Sequence, residues 1–421
     1  MDKSVTMSNS SNSSSYDKTL GEEFALSFLN DTYILIDKIG IGSFSSVWLA
    51  LNIKNLNLYA IKILSIDEYD SGIKEIKILN EISLNKCKYL SVIIEHFEVP
   101  NPIIENSINL CIVMDLYIGS VYQLLKIKYE DGFPPSIVNK IILNTLLGLK
   151  ELHNLGYIHT DIKPENILVK GLNPIFYKFK EYVISNTKVN KLINNIKNKN
   201  NFINSLSCYN NNKINNLIKI LIKKFKLICN EYTTSEYYDD NDHILIPNYY
   251  DKEFTLLIND DLNTLEYVLS DFGTIKYISN NNDEEIQTRY YRCPEVLLGC
   301  KWNESVDLWS IGCTYFELLT NMLIFDPEKF NGSTTDEQHL IEIAQFIVLD
   351  ANQYESGKYY NKFPNNEKVI YSIKESIKYC KPNIDDKDLL FCTIFIKSVI
   401  SNPNNRKSID YLINMIINKN N

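Results

Sequence analysis

The run HTDIKPENILV, His159 to Val169, places Asp161, Lys163 and Asn166 within six positions on a stretch that follows a helical pattern and leads into a strand-like one. A carboxylate at Asp161 suits orienting a hydroxyl and accepting its proton. The Lys163 ammonium can neutralise charge on a transferring phosphoryl group, and the amide oxygen of Asn166 suits a hard, oxygen-seeking Mg2+. Downstream, after the strand-like YVLS, comes DFG at Asp271–Gly273, where Asp271 is placed to bind a Mg2+ that bridges nucleotide phosphates. Alone, DFG is a commonplace tripeptide. Following the first run, it points to phosphoryl transfer from a metal-bound nucleotide.

Two earlier segments fit the same chemistry. GIGSFSSV, Gly40 to Val47, follows a strand-like stretch; its glycines let backbone N–H groups approach a phosphate, although taken alone an ordinary β-turn is the favoured reading of a glycine pair. YAIK then puts Lys62 on an apolar strand, and Glu75 follows on a helix-patterned segment. A Lys–Glu pair would hold the ammonium within reach of ATP phosphates; the plain alternative is a lysine that snorkels to the surface.

The elements that must carry these residues are legible from periodicity. YILIDKIG, FSSVWLAL and LYAIKIL read as short antiparallel strands. Ser71–Leu84 switches to helical spacing with Ile73, Ile76, Leu79 and Ile82 on one face, and strand-like runs follow around Val92–Phe97 and Leu110–Asp115. From Ser136 the text is mainly helical, beginning with SIVNKIILNTLLGLKELHNLG, which Gly156 ends. The order is a small β-rich lobe, then a large helical one.

Residues 1–28 read as a disordered tail. Between Lys170 and Asn230 stand twelve lysines against one glutamate, and the following stretch reverses the sign with EYYDDNDH and NDD. Asn runs mark low complexity, so 171–263 reads as a spacer inserted into the larger lobe. Within it Ile214, Leu217, Leu221, Phe225 and Ile228 make a helical apolar stripe beside Lys219, Lys223, Lys224 and Lys226. Packing within its own domain is the favoured reading of that stripe, against a partner-binding or membrane-surface helix. The acidic stretch Glu231–Asp242 is free in this reading either to fold back on the lysines or to guide localisation.

Composition narrows the class. The chain has 421 residues, 45% hydrophobic, with a formal net charge of −9, which argues against a general nucleic-acid binder. Nine cysteines without zinc spacing read as free thiols in a reducing compartment. With no apolar signal-peptide core and no run of bilayer length, the expectation is a soluble intracellular protein, cytoplasmic with the nucleus as alternative, working as a monomer. Only three arginines occur, Arg289, Arg292 and Arg406, in a chain where lysine serves elsewhere; these positions call for a planar, multi-donor guanidinium.

With QTRYYRCPEVLLG, SVDLWSIGCTYFELL and NPNNRKS added in order, the sequence resembles the eukaryotic protein kinases. The resemblance implies an α+β, bilobal fold, with a small antiparallel-sheet lobe bearing one main helix (33–117) and a large mainly helical lobe (118–421). It implies ATP and Mg2+ as cofactors, with Asp161, Lys163, Lys62, Glu75 and Thr288 catalytic and Asn166 and Asp271 on the metal. It also implies a nucleotide pocket of Ile39, Gly40, Gly42, Ser45, Val47, Ala60 and Lys62, with Met114 at its back and Asp115 and Tyr117 on the hinge. Glu295 should pair with Arg406, Thr288 should contact Asp161 and Lys163, and Asp307 should brace the catalytic loop. Arg292 should shape the platform for the residue after the phosphoacceptor.

HTD, Ser45 at the third glycine position, IQTRYYRCPEVLLG, TDEQHLIEIAQFI, SGKYYNKF and the spacer's place further resemble the serine/arginine-rich-protein kinases. The partners implied are protein substrates bearing Ser or Thr, with Arg-rich segments among them. Where that family carries docking carboxylates, Met322, Gln338 and Gln345 stand here, which removes steering toward arginine repeats. Thr160 replaces an arginine that in many kinases clasps a phosphorylated activation loop, so activity without such phosphorylation is expected. The alternative from another class is a pseudokinase scaffold or binding module; Lys62, Asp161 and Asp271, whose loss would mark one, are all present.

Overall fold

The computed structural model describes residues 21–42, 44–199, 212–232, 262–280, 283–328, 334–364 and 369–420. The chain divides into two compact units, one of residues up to Gly72 with Ile94–Met114 and Phe179–Ile228, the other of Ile73–Ile93, Asp115–Lys178 and Cys229–Asn421.

The first unit is built on a six-stranded sheet in the order β1-β2-β3-β4-β6-β5. Its strands are β1 (Phe28–Leu29), β2 (Tyr33–Ile41), β3 (Ser45–Asn52), β4 (Leu58–Leu64), β5 (Ile93–Pro100) and β6 (Ile108–Met114). Register fixes who neighbours whom: Gly40 opposes Val47, Val47 opposes Lys62, and Ala60 opposes Met114. One face buries Phe24, Leu35, Trp48, Ile61, Ile63, Cys111 and Val113 as a single cluster.

Phe24 corrects the expected 1–28 tail over its last residues. Glu22–Phe24 forms a 3-10 turn, Phe24 is 1% exposed within the sheet cluster, and Phe28 pairs with Ile34. One buried aromatic and two strand pairs give this stretch the apolar contact that a polar tail lacks. Residues 1–20 lie outside the described residues.

The spacer is also corrected. Residues 171–263 are not simply low-complexity linker: α4 (Pro174–Ser185), α5 (Thr187–Lys199) and α6 (Asn212–Tyr232) occupy much of it. The stripe Ile214, Leu217, Leu221, Phe225 and Ile228 is buried, each at 4% exposure or less, and the Phe179 and Phe225 rings meet at 5.2 Å. Lys197 Nζ donates to Lys54 O at 3.2 Å, and Lys226 lies close enough to act on the Asp37 carboxyl of β2. The first unit therefore includes most of the spacer's helices, and the chain passes from it to the second unit after Met114. At the end of α6 Glu231 pairs with Lys178 at 2.9 Å; the acidic stretch from residue 233, whose folding back was one of two expectations, lies outside the described residues.

Helix α1 (Tyr69–Leu84) buries Ile76, Ile78, Leu79 and Ile82, whereas Ile73, expected on the buried face, is 43% exposed. The second unit is mainly helical. In it α2 (Val121–Lys128) carries a Ser120/Gln123 capping box, and α3 (Pro135–Asn154) buries Ile137, Ile141, Leu146, Leu149 and Leu152. Gly156, at φ 88°, turns the chain after it. The helix Ser305–Thr320 is buried from Val306 to Thr320 and forms the unit's axis. Short strands flank the loop that holds HTD: β7 (Gly119–Ser120), β8 (Tyr157–Ile158), β9 (Ile167–Val169), β10 (Tyr267–Leu269) and β11 (Lys276–Tyr277), in sheets β10-β9-β7 and β11-β8.

Candidate active site

The loop from His159 to Asn166 is held from the helical axis. Asp307, wholly buried, accepts from His159 N at 2.9 Å and Thr160 N at 2.8 Å, and lies 2.8 Å from His153 Nε2. Its two oxygens satisfy consecutive amides where Thr160 takes a φ of 70°, a strained value for a β-branched residue. His159 Nδ1 accepts from Asp161 N at 3.2 Å, so Nε2 carries the proton and donates to Ser270 O at 3.0 Å. This ties the loop to the residue before DFG. The Thr160 hydroxyl donates to Thr274 O at 2.9 Å, a contact inside the activation segment.

Three predicted residues converge on Asp161. Lys163 Nζ lies 2.8 Å from its Oδ2, and Thr288 Oγ1 and N lie 2.6 and 3.1 Å from its Oδ1. Lys163 also reaches Thr288 Oγ1 at 2.8 Å. Asn166 Nδ2 donates to Asp161 O at 2.8 Å and to Oδ2 at 3.1 Å, which aims its amide oxygen the other way. Burial works to raise the Asp161 pKa, but the Lys163 ammonium and the hydrogen bonds from Lys163 and Thr288 outweigh it. The net shift is downward, so the group is a carboxylate at neutral pH. Lys163 shifts upward: burial opposes its charge, and Asp161 more than compensates.

Asp271 opens DFG at φ 65°. A Cβ on Gly273 would stand 3.7 Å from both Asp271 Oδ1 and Glu75 Oε2, so Glu75, 4% exposed, sits beside this turn. Among the described residues no three His, Cys, Asp or Glu side chains form a ready metal cage. One carboxylate and one amide oxygen, completed by phosphate oxygens and water, are a donor set that suits Mg2+.

In the first unit, Gly42 N donates to Ser45 O at 2.8 Å, closing the turn between β2 and β3. A Cβ at Gly42 would meet Ser45 Oγ at 2.9 Å, so a larger residue there would have to displace that hydroxyl. Ile39, Gly40 and Val47 flank the turn on paired strands, Lys62 stands opposite Val47, and Ala60 stands beside Met114. Asp115 and Tyr117 belong to the second unit with Glu75, while Lys62 belongs to the first. Burial raises the Asp115 pKa, against the pull of Lys170.

The end of the activation segment carries residues that motif reading passed over. Gln287 takes φ 69°; its side chain donates to Val306 O at 2.9 Å and Ser310 Oγ at 2.8 Å, and accepts from Cys293 N at 3.0 Å. Arg292, 9% exposed, donates to Gln287 O at 2.9 Å and to Glu285 Oε1 at 2.5 Å. Arg289 pairs with Asp336 at 2.6 Å and Asp283 with Lys358 at 2.9 Å. Arg406 makes a two-pronged pair with Glu295, one prong at 2.7 Å, both side chains almost fully buried. Arg292 and Arg406 therefore sit where a planar donor array is used, whereas Arg289 contacts Asp336 through Nη1.

Glu317 is another such residue, and its signal was visible: with Asp307 it is one of two charges in an otherwise uncharged helix. Burial pushes its carboxyl up to about 7, the Tyr291 hydroxyl at 2.5 Å acts the other way, and Glu165 raises it further. A raised carboxyl contributes stability that is full below the unfolded value of 4.5 and lost as pH climbs through about 7. Glu317→Gln should therefore raise the melting midpoint at pH 8 by roughly 2–5 °C, the gain shrinking as pH falls toward 5. A gain independent of pH would contradict this.

Of Met322, Gln338 and Gln345, Met322 is 58% exposed, and the two glutamines are half-buried on the helix Thr335–Phe346.

Residues 33–178 and 252–415 match the family described as protein kinase domain. The chain is 28% identical over 385 residues to protein kinase dsk1 of Schizosaccharomyces pombe, covering 81% of this chain and 70% of that one. It is 27% identical over 342 residues to serine/threonine-protein kinase SRPK of Physarum polycephalum, covering 78% and 71%. A third relative, serine/threonine-protein kinase SKY1 of Saccharomyces cerevisiae, is 24% identical over 502 residues, covering 82% and 67%.

Proposed function

The chain belongs to the protein kinase family, and from that premise we propose that it phosphorylates Ser and Thr of proteins with Asp161 as the base and without prior phosphorylation of its activation segment. The observation that carries this reading is the meeting of Lys163, Thr288 and Asn166 on the Asp161 carboxylate. Asp161 orients the substrate hydroxyl and takes its proton as the phosphoryl group moves; its lowered pKa keeps it ionised but makes it a weak base, which a loose transition state tolerates. Lys163, kept protonated, faces the developing charge, and Thr288 fixes the carboxylate's second oxygen. Mg2+, held by Asp271 and Asn166, would neutralise phosphate charge. In the first unit Lys62 is the group for the ATP phosphates, with Ile39, Gly40, Gly42, Ser45, Val47, Ala60 and Met114 for the rest of the nucleotide; in the second, Glu75, Asp115 and Tyr117 are the candidates.

Phosphorylation-independence is supported by how the segment is already held. Thr160 spends its hydroxyl on Thr274, and the run Asp283-Glu284-Glu285 meets Lys358, Lys276 and Arg292 in turn. Met322, Gln338 and Gln345 support a substrate range less dependent on arginine repeats than charged docking residues would give. Free thiols at every described cysteine support an intracellular, cytoplasmic setting.

The test is transfer of labelled γ-phosphate to a panel of Ser/Thr peptides, arginine-rich and neutral, by phosphatase-treated protein. Full activity without an upstream kinase, on neutral as well as basic peptides, is expected. Activity gained only after another kinase acts, or confined to arginine repeats, would overturn the corresponding part.

A further inference from the structure

We propose that Glu285 is a positioning residue for phosphoryl transfer, acting through Arg292 and one peptide group on Asp161. The inference rests on the reading of Asp161 given above. The peptide between Gln287 and Thr288 is gripped at both ends: its carbonyl accepts from Arg292 Nη2 at 2.9 Å and Nε at 3.3 Å, and its N–H donates to Asp161 Oδ1 at 3.1 Å. A rotation of that plane would break both contacts at once. It would also displace the Thr288 hydroxyl, which holds the same carboxylate oxygen at 2.6 Å.

The plane is set by a strained residue. Gln287 at φ 69° is left-handed, a conformation an L side chain keeps only where its surroundings dictate it. The buried side chain is anchored to Val306 O, Ser310 and Cys293 N, which fixes Gln287 itself; the carbonyl is fixed by Arg292.

Arg292 is in turn nearly buried, and a guanidinium in such a place needs counter-charge and acceptors to stay put. Glu285, 2.5 Å from Nη1, supplies the charge. Neighbouring groups are committed elsewhere or carry none: Asp336 pairs with Arg289, Asp283 with Lys358, Glu284 with Lys276, and burial pushes His339 down to about 3, leaving it neutral. Of the acidic run, Glu285 is the member whose cation holds the Gln287 carbonyl, on the far side of the peptide whose N–H meets Asp161. An internal carboxylate thus orders the segment where many kinases use an added phosphate. Its own side chain is 71% exposed, so the pair is partly screened and salt-sensitive.

The experiment is steady-state kinetics of the full chain and its Glu285→Gln, Glu285→Asp, Asp161→Asn and Asp161→Asn/Glu285→Gln variants at about 50 and about 300 mM KCl. Glu285→Gln should lower kcat about threefold to tenfold at low salt, the size of one partly screened charge-assisted contact. The KM for ATP and the melting midpoint should stay unchanged, and Glu285→Asp should recover most of the loss. The gap should narrow at high salt, and in the Asp161→Asn background Glu285→Gln should cost nothing further. An unchanged kcat in Glu285→Gln, or an equal loss with Asp161 already replaced, would overturn the proposal while leaving Asp161 as base. An Asp161→Asn enzyme as active as wild type would overturn the Asp161 reading and this proposal with it.

Discussion

Asp161→Asn protein should bind MgATP as tightly as wild type and transfer phosphate about 10^2–10^4-fold more slowly, the range for loss of a positioned general base. Asparagine keeps the shape and one carbonyl oxygen, so the Thr288 contact at 2.6 Å can survive, and the loop stays braced by Asp307. What is lost is the negative charge beside Lys163 and the only proton acceptor among these groups. Because phosphoryl transfer depends chiefly on positioning and charge stabilisation, a residual rate should remain. Nucleotide titration by fluorescence and single-turnover transfer give the two numbers. A turnover within threefold of wild type, or an affinity loss equal to the rate loss, would contradict the role assigned.

The second large effect concerns stability. Arg406 and Glu295 are 1% and 4% exposed and joined by two parallel hydrogen bonds, with the guanidinium over the Trp309 ring at 5.2 Å. Arg406→Ala leaves a buried carboxylate without its partner, and the expected loss is about 3–5 kcal/mol. Arg406→Lys should recover little, because an ammonium supplies no planar fork and the Ser401 and Ser305 carbonyls that Arg406 also reaches would lose a donor. Replacing both partners, Glu295→Met with Arg406→Met, should cost less than Arg406→Ala alone, since no charge is then stranded. Denaturant unfolding of the three variants measures this; equal stability of Arg406→Ala and wild type would show that the pair is dispensable.

Much of this was legible in the sequence because it depends on local spacing. Asp161, Lys163 and Asn166 lie close together in the chain, and the strands around Lys62 are short apolar runs bounded by turn residues, which marks them as strands although their register came only from the fold. Glu317 was legible too, as a charge in an apolar helix. The rest was hidden for physical reasons. The role of Gln287 comes from a backbone torsion, and nothing in IQTR announces a left-handed residue. Glu285 matters only because the chain folds back so that Arg292 meets it seven residues later. In the spacer the apolar stripe from Ile214 to Ile228 was legible as a packing face and is buried, whereas the helices Pro174–Ser185 and Thr187–Lys199 were hidden by their low-complexity surroundings. Phe24 was hidden similarly: the long polar run before it masks a short apolar end, of which Phe24 and Leu29 join the sheet's core.

The most direct test of the account is single-turnover transfer of labelled γ-phosphate from MgATP to a Ser/Thr protein substrate, wild type against Asp161→Asn, with nucleotide binding measured in parallel. The account predicts label on serine or threonine for wild type, and loss of transfer with binding retained for the variant. Nucleotide bound equally by both, with no label moved by either, would contradict it and leave a nucleotide-binding scaffold in its place.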